Sequence, residues 1–164
     1  MRRALVSMWL SVLVVPAPVA LSAQSGAAAK PPAIRACSLL TKELALKVTS
    51  AANQQVFDML PPQEESIGAN GSACDYGDIR IQVDAFTPAR VEQLRKEQGQ
   101  AWTTVPNVGD AAYFHNNKDR YAELIVVAGT HTLTIQMGVP MGGTVDAIKP
   151  NTITLANALV PKLR

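Results

Sequence analysis

Residues 121–138 read Tyr-Ala-Glu-Leu-Ile-Val-Val-Ala-Gly-Thr-His-Thr-Leu-Thr-Ile-Gln-Met-Gly. The stretch predicts a β-hairpin that turns at Gly129-Thr130. Glycine at the first position of a two-residue loop suits a type II′ turn, because it takes a positive φ without steric cost. In the second strand Leu133, Ile135 and Met137 alternate with Thr132, Thr134 and Gln136, the period of two of a half-buried strand. Leu124-Ile125-Val126-Val127 is apolar on both faces, as a central strand often is. The turn sets Val126 opposite Leu133 and Leu124 opposite Ile135. The even positions of 121–128 and the odd positions of 131–137 then form the face that helices cover. Tyr121, Ile125 and Val127 fall on the other face with Thr132, Thr134 and Gln136, which is either partly exposed or covered by residues 51–71.

A second hairpin lies upstream. Ser72-Ala-Cys-Asp-Tyr and Ile79-Arg-Ile-Gln-Val flank Gly77-Asp78, an accepted two-residue turn. Its register sets Cys74 opposite Ile81 on the buried face. Residues 111–115 form a further strand in which either Tyr113 or Phe114 faces the core, since a one-residue slip exchanges them. Phe114 is the preferred choice.

Three helices are expected around these strands. Thr41 caps one over 41–50, with Leu40, Leu44 and Val48 as its stripe. Thr87 caps another over 87–98, and Pro88 fits its first position because its missing N–H would be orphaned anyway. The apolar face of this helix is thin, so it belongs at an edge. The third runs over 146–160 from Thr144 or Asp146, with Ile148, Leu155 and Leu159 inward. Its Pro150 belongs in the first turn. Residues 55–60 suggest a short strand and 63–71 a polar loop. The fold class is α+β, an antiparallel sheet of about five strands with the helices mainly on one face.

The N-terminus reads as an export signal: Arg2 and Arg3, an apolar run from Ala4 to Val15, then small residues with cleavage after Ala23 or Ala29. The run falls short of the roughly 20 apolar residues that a membrane span needs. Residues 1–23 are thus a signal peptide, 24–35 a flexible leader and 36–164 one domain, secreted or periplasmic. The chain carries 15 basic and 13 acidic residues. Loss of Arg2 and Arg3 leaves 13 of each and no net charge, which argues against nucleic acid as a partner. The membrane is met only through the export signal. Both cysteines, Cys37 and Cys74, lie in the exported part, where two cysteines pair. Their bridge contributes on the order of 3–4 kcal/mol by chain entropy.

Cys37-Ser-Leu-Leu-Thr-Lys-Glu, Cys74-Asp-Tyr and Val108-Gly-Asp-Ala-Ala-Tyr-Phe, followed by a closing helix, resemble a family of small exported bacterial proteins classed as a domain of unknown function. The layout also resembles the α+β fold of the photosystem accessory protein PsbP and of a nuclear-transport factor. The resemblance implies a two-cysteine exported domain and no particular activity.

No catalytic constellation is legible. The two histidines, His115 and His131, stand at opposite ends of the proposed sheet, roughly 15–20 Å apart at about 3.3 Å per residue. A shared metal site is therefore not expected, and copper held by Met137, Met141 and a histidine is weakened by the core position of Met137. No Gly-x-Ser-x-Gly occurs, no His–carboxylate pair is suggested by the register, and Met141-Gly-Gly-Thr lacks the lysine of a phosphate loop. Glu64-Glu65, Asp75, Asp78 and Asp110 read as solvated loop and turn residues. The expectation is a non-enzymatic binding or accessory module with no cofactor and no metal. Its partner would be an unidentified protein or envelope component, met through Trp102, Tyr113 or residues 63–70. The alternatives are a small-ligand carrier with a pocket between sheet and helices, a hydrolase, or a metal-binding protein.

Overall fold

A computed structural model describes residues 34–49, 54–116 and 120–164. The expected signal peptide, its expected cleavage sites and the expected leader up to residue 33 lie outside the described residues.

The strands β1 (Gln63–Ile67), β2 (Gly71–Tyr76), β3 (Ile79–Val83), β4 (Trp102–Thr104), β5 (Ala111–Asn116), β6 (Tyr121–Ala128) and β7 (His131–Gly138) form one sheet in the order β1-β2-β3-β7-β6-β5-β4. All six pairings are antiparallel. Among the described residues five α-helices accompany it: α1 (Ala36–Leu39), α2 (Lys42–Val48), α3 (Gln54–Met59), α4 (Pro88–Gln98) and α5 (Val145–Leu159).

The hairpin of β6 and β7 has the predicted register, Leu124 opposite Ile135 and Val126 opposite Leu133. Gly129 takes φ 62° at the turn. Cys74 likewise pairs with Ile81 across β2 and β3. Seven strands replace the expected five. Gln63–Ile67 is a strand, not a loop: it is an edge strand, held by backbone hydrogen bonds to β2, and its side chains need no apolar alternation. β4 is only three residues long, too short to leave a periodic signal. Residues 54–59 form α3, not a strand, and bury Phe57 alone.

One face of the sheet is fully closed. Leu124, Val126, Leu133, Ile135, Leu155 and Leu159 are each 0% exposed where α5 crosses β6 and β7. α2 packs against α5, and α1 packs on β2. Thr144 caps α5 by accepting the Ala147 N–H at 3.3 Å. Pro150 stands inside this helix, not in its first turn. A proline there costs about 3 kcal/mol, which the buried stripe Ile148, Thr152, Leu155 and Leu159 offsets. The start of α1 is pinned to β2 twice over. Cys37 and Cys74 stand at disulfide distance, Cα–Cα 4.9 Å, and the Ser72 hydroxyl accepts the Ala36 N–H and donates to the Ile34 carbonyl, each at 2.8 Å.

α4 lies on the opposite face, so two of the three expected helices share one side and the third does not. Its Val91, 0% exposed, packs with Tyr113 and Ile125, and Phe86, Trp102 and Val127 border the cluster. Residues 54–71 do not provide this cover; the Phe57 of α3 belongs to the first core, edge-on to Tyr76. Both residues left open in β5 are buried, Phe114 in the first core and Tyr113 under α4.

Candidate functional site

α4 roofs only part of its face. The cross-strand register shows what the roof leaves. One row on this face runs Ala73, Gln82, Thr134, Ile125, Tyr113 from β2 to β5, and Val91 of α4 packs on its Ile125 and Tyr113. Ala73, Thr134, Ile125 and Tyr113 in this row are buried. The Thr134 hydroxyl has no hydrogen-bond partner there.

The neighbouring row differs in kind. Gln63, Asp75, Arg80, Gln136, Glu123, His115 and Trp102 follow one another across all seven strands. Period-two alternation puts them on the α4 side of the sheet. From Asp75 to Trp102 each is half-buried, and Gln63 at the edge is exposed. Five strand spacings of about 4.8 Å make that stretch roughly 24 Å long.

The row is tied together by its own side chains. Arg80 binds Asp75 and reaches Glu65 at 2.9 Å. Glu123 accepts from the Gln136 amide at 2.9 Å with one oxygen and meets His115 Nδ1 at 3.3 Å with the other. The Trp102 indole lies 6.3 Å from the His115 ring and 6.0 Å from Tyr113, centroid to centroid. A cavity of about 210 Å³ opens at one end of the row, lined by Asp75, Arg80, Tyr121 and Gln136 with the turns beside them. The side chains are positioned before any ligand arrives, which lowers the ordering cost of binding.

Tyr113 itself is largely withdrawn from solvent. It is 7% exposed, its hydroxyl donates to Glu92 on α4, and the Arg95 guanidinium sits 5.7 Å over its ring. The hydrogen bond from Tyr113 holds the Glu92 carboxyl below its usual range, against a desolvation that raises it. The same bond raises the Tyr113 hydroxyl, and burial raises it further. Trp102 remains half-exposed, propped between these rings.

The two histidines are held apart, each by a carboxylate, so the expected lack of His–carboxylate pairs is corrected. His115 faces Glu123 directly across β5 and β6. His131 Nδ1 lies 2.8 Å from Asp84, whose other oxygen accepts the Thr132 N–H at 3.0 Å. Asp84 takes φ 53°, a left-handed conformation uncommon for aspartate. Its N–H donates to the Thr132 carbonyl, so Asp84 caps the end of the β3–β7 ladder. A second cavity of about 210 Å³ adjoins this pair, with Phe86 and Thr87 in its wall.

The carboxylates expected as solvated residues are mostly engaged. Glu64, in β1, takes Arg35 at 2.6 Å, and Asp110 joins the Gly129 N–H to Arg164, both at 2.6 Å. Met137 is buried with its sulfur 3.4 Å from the Thr152 hydroxyl, whereas Met141 is fully exposed, so no thioether pair converges on copper. Among the described residues no group of three His, Cys, Asp or Glu could hold a metal ion, and no helix is long and apolar enough to cross a membrane.

The signal that could have found the row was present but ambiguous. Once β5 is registered on β6, His115 and Glu123 become partners, but the loop over 116–120 does not fix that register. No known protein family, curated protein or solved structure matches the chain.

Proposed function

We propose that the protein is an exported cell-envelope module that acts by contact, and that its contact surface is the polar row from Asp75 to Trp102. The observation that carries this reading is the contrast within one sheet face. Where α4 covers the sheet, the side chains are buried. Beside the cover stand six half-buried polar and aromatic groups in register, five of them joined in two hydrogen-bonded sets, Asp75 with Arg80 and Gln136 with Glu123 and His115. A fold that needed only stability gains little from such a row, because part-exposed ion pairs contribute about 0–1 kcal/mol each. The bridge between Cys37 and Cys74 suits the oxidising compartment to which the N-terminal segment would direct the chain.

The test is retention of an envelope component on the immobilised mature protein. Arg80→Ala with Gln136→Ala should lose that component while the thermal midpoint moves little. Retention unaffected by the pair would remove the row from the contact.

The hydrolase alternative has one observation in its favour, the carboxylate-oriented imidazole of His131 beside a cavity. A carboxylate on Nδ1 fixes the tautomer that a general base uses. Ester hydrolysis abolished by His131→Gln would establish it. The carrier alternative is weakened, since the space between sheet and α5 is filled by buried aliphatic side chains.

A further inference from the structure

Resting on the contact reading, we infer that the row takes an extended neutral glycan, a chain of uncharged sugars lying across the strands. Four observations carry the assignment.

The first is the chemistry of the groups. Carboxylate, guanidinium, amide and imidazole follow in turn at Asp75, Arg80, Gln136, Glu123 and His115. Each is planar, and together they alternate acceptor, donor, both, acceptor, both. Sugar hydroxyls donate and accept at once, so neighbouring hydroxyls match such a series. A polypeptide strand would need an unpaired backbone ladder or apolar side-chain pockets. The backbone groups of β2, β3, β7, β6 and β5 already serve the sheet, and a peptide added to the edge strand β4 would run along that strand and meet only Trp102 of the row.

The second is charge. Asp75, Glu65 and Glu123 outnumber Arg80, the one guanidinium bound among them. A polyanion such as nucleic acid, or the surface of an anionic membrane, meets net repulsion there.

The third is the aromatic end. Trp102 is half-exposed and held at 35° to His115 and 37° to Tyr113. An indole propped in this way offers an apolar face to the C–H side of a sugar ring at little ordering cost.

The fourth is shape. The row runs roughly 24 Å across the strands and ends beside the cavity at Asp75, Arg80, Tyr121 and Gln136. A single sugar would use one site, whereas a row of that length spans a chain.

The experiment uses a property of the sequence: beyond residue 23, Trp102 is the only tryptophan. Its emission therefore reports on the row alone. The oxidised mature protein is titrated with cellohexaose, chitohexaose and maltohexaose, and with dextran sulfate as the polyanion. The expected result is a saturable emission change with at least one neutral hexasaccharide and a smaller response to dextran sulfate. Glu123→Gln, which keeps the size of the side chain, should weaken binding about tenfold, the effect of roughly 1.4 kcal/mol. Gln136→Ala should weaken it as well with the thermal midpoint retained, and His131→Gln, at the other cavity, should leave it unchanged.

Silence of Trp102 toward all three hexasaccharides overturns the glycan assignment, as does a stronger response to dextran sulfate or binding that ignores both row variants. If the hexasaccharides are silent but an envelope protein is still retained through Arg80 and Gln136, the glycan falls and the contact face stands. If both fail, both readings fall.

Discussion

The two faces of this sheet are built from the same strands and solve different problems. On the face under α5, Ala122, Leu124, Val126 and Ala128 of β6 and Leu133, Ile135 and Met137 of β7 are 0–2% exposed. On the face under α4, Val91 is the only buried residue of the helix, and the strands offer Thr132, Thr134, Gln136 and Glu123 to it and beside it. The first face is closed by hydrophobic burial, which is non-directional and scales with area. The second is closed by a thin apolar patch plus named hydrogen bonds, such as Tyr113 to Glu92 and the Thr132 hydroxyl to the Phe86 carbonyl at 2.7 Å. A face held in that way can stop partway across the sheet. The polar row begins where it stops.

A buried charge separates the two faces most severely. Val126→Asp puts an unpaired carboxylate into the closed face and should cost more than about 4 kcal/mol, enough to abolish a cooperative unfolding transition. The alternation Thr-Leu-Thr-Ile-Gln suggests that Thr134→Asp would be cheap. The structure predicts otherwise, because Thr134 is 2% exposed beneath the roof. A loss of about 3 kcal/mol in urea denaturation is expected. A loss under about 1 kcal/mol would mean that the α4 face is open at Thr134.

Replacing Cys37 and Cys74 together by alanine removes the tie between α1 and β2. The expected loss is about 2–4 kcal/mol, read from denaturant midpoints with and without reductant. Since Ser72 still holds Ala36 and Ile34, β2 and β3 should stay paired, with the increase in amide exchange confined to α1 and α2.

Tyr113→Phe sharpens the account of the roof. It should cost about 1 kcal/mol at neutral pH, since a hydrogen bond to a charged group is partly screened on an exposed helix. The sign with pH follows from Glu92, whose native carboxyl lies below its unfolded value of 4.5. That depression stabilises the fold above the unfolded value and is lost as pH falls through the native one. The difference between wild type and Tyr113→Phe should therefore be constant at neutral pH and shrink on acidification. A carbon-detected titration of Glu92 should show its value returning toward 4.5 in the variant.

The smallest effect is predicted for Gln136→Ala in the row, within about 0.5 kcal/mol of wild type by thermal unfolding. A much larger loss would make the row part of the folding core and not a surface kept for contact.

The parts of the fold that were legible are those where two independent signals agree. Gly129 and the aliphatic alternation both demand the β6–β7 register, and Gly77 with Ile79, Ile81 and Val83 does the same for β2–β3. Thr87 and Pro88 mark the start of α4, and Thr144 that of α5. β1 was illegible because an edge strand is held by backbone groups, which every residue type carries. The side on which α4 packs was illegible because one valine does not define a stripe. The burial of Thr132 and Thr134 was hidden by their polarity, since a threonine reads the same whether water or a helix covers it. Of the site, Trp102 was legible as an aromatic able to anchor a contact. The Asp75, Arg80, Gln136, Glu123 and His115 row needs four strand registers at once, and the Asp84–His131 pair needs a positive φ that the sequence does not announce.

On the proposed reading the protein makes contact through the row and nowhere on the closed face. The most direct test is an amide shift map of the isotope-labelled mature protein as unlabelled envelope fraction is added. The account predicts shifts centred on Asp75, Arg80, Gln136, Glu123, His115 and Trp102, with α2 and α5 silent. Shifts centred on α5, or on Asp84 and His131 with the row unmoved, would contradict it.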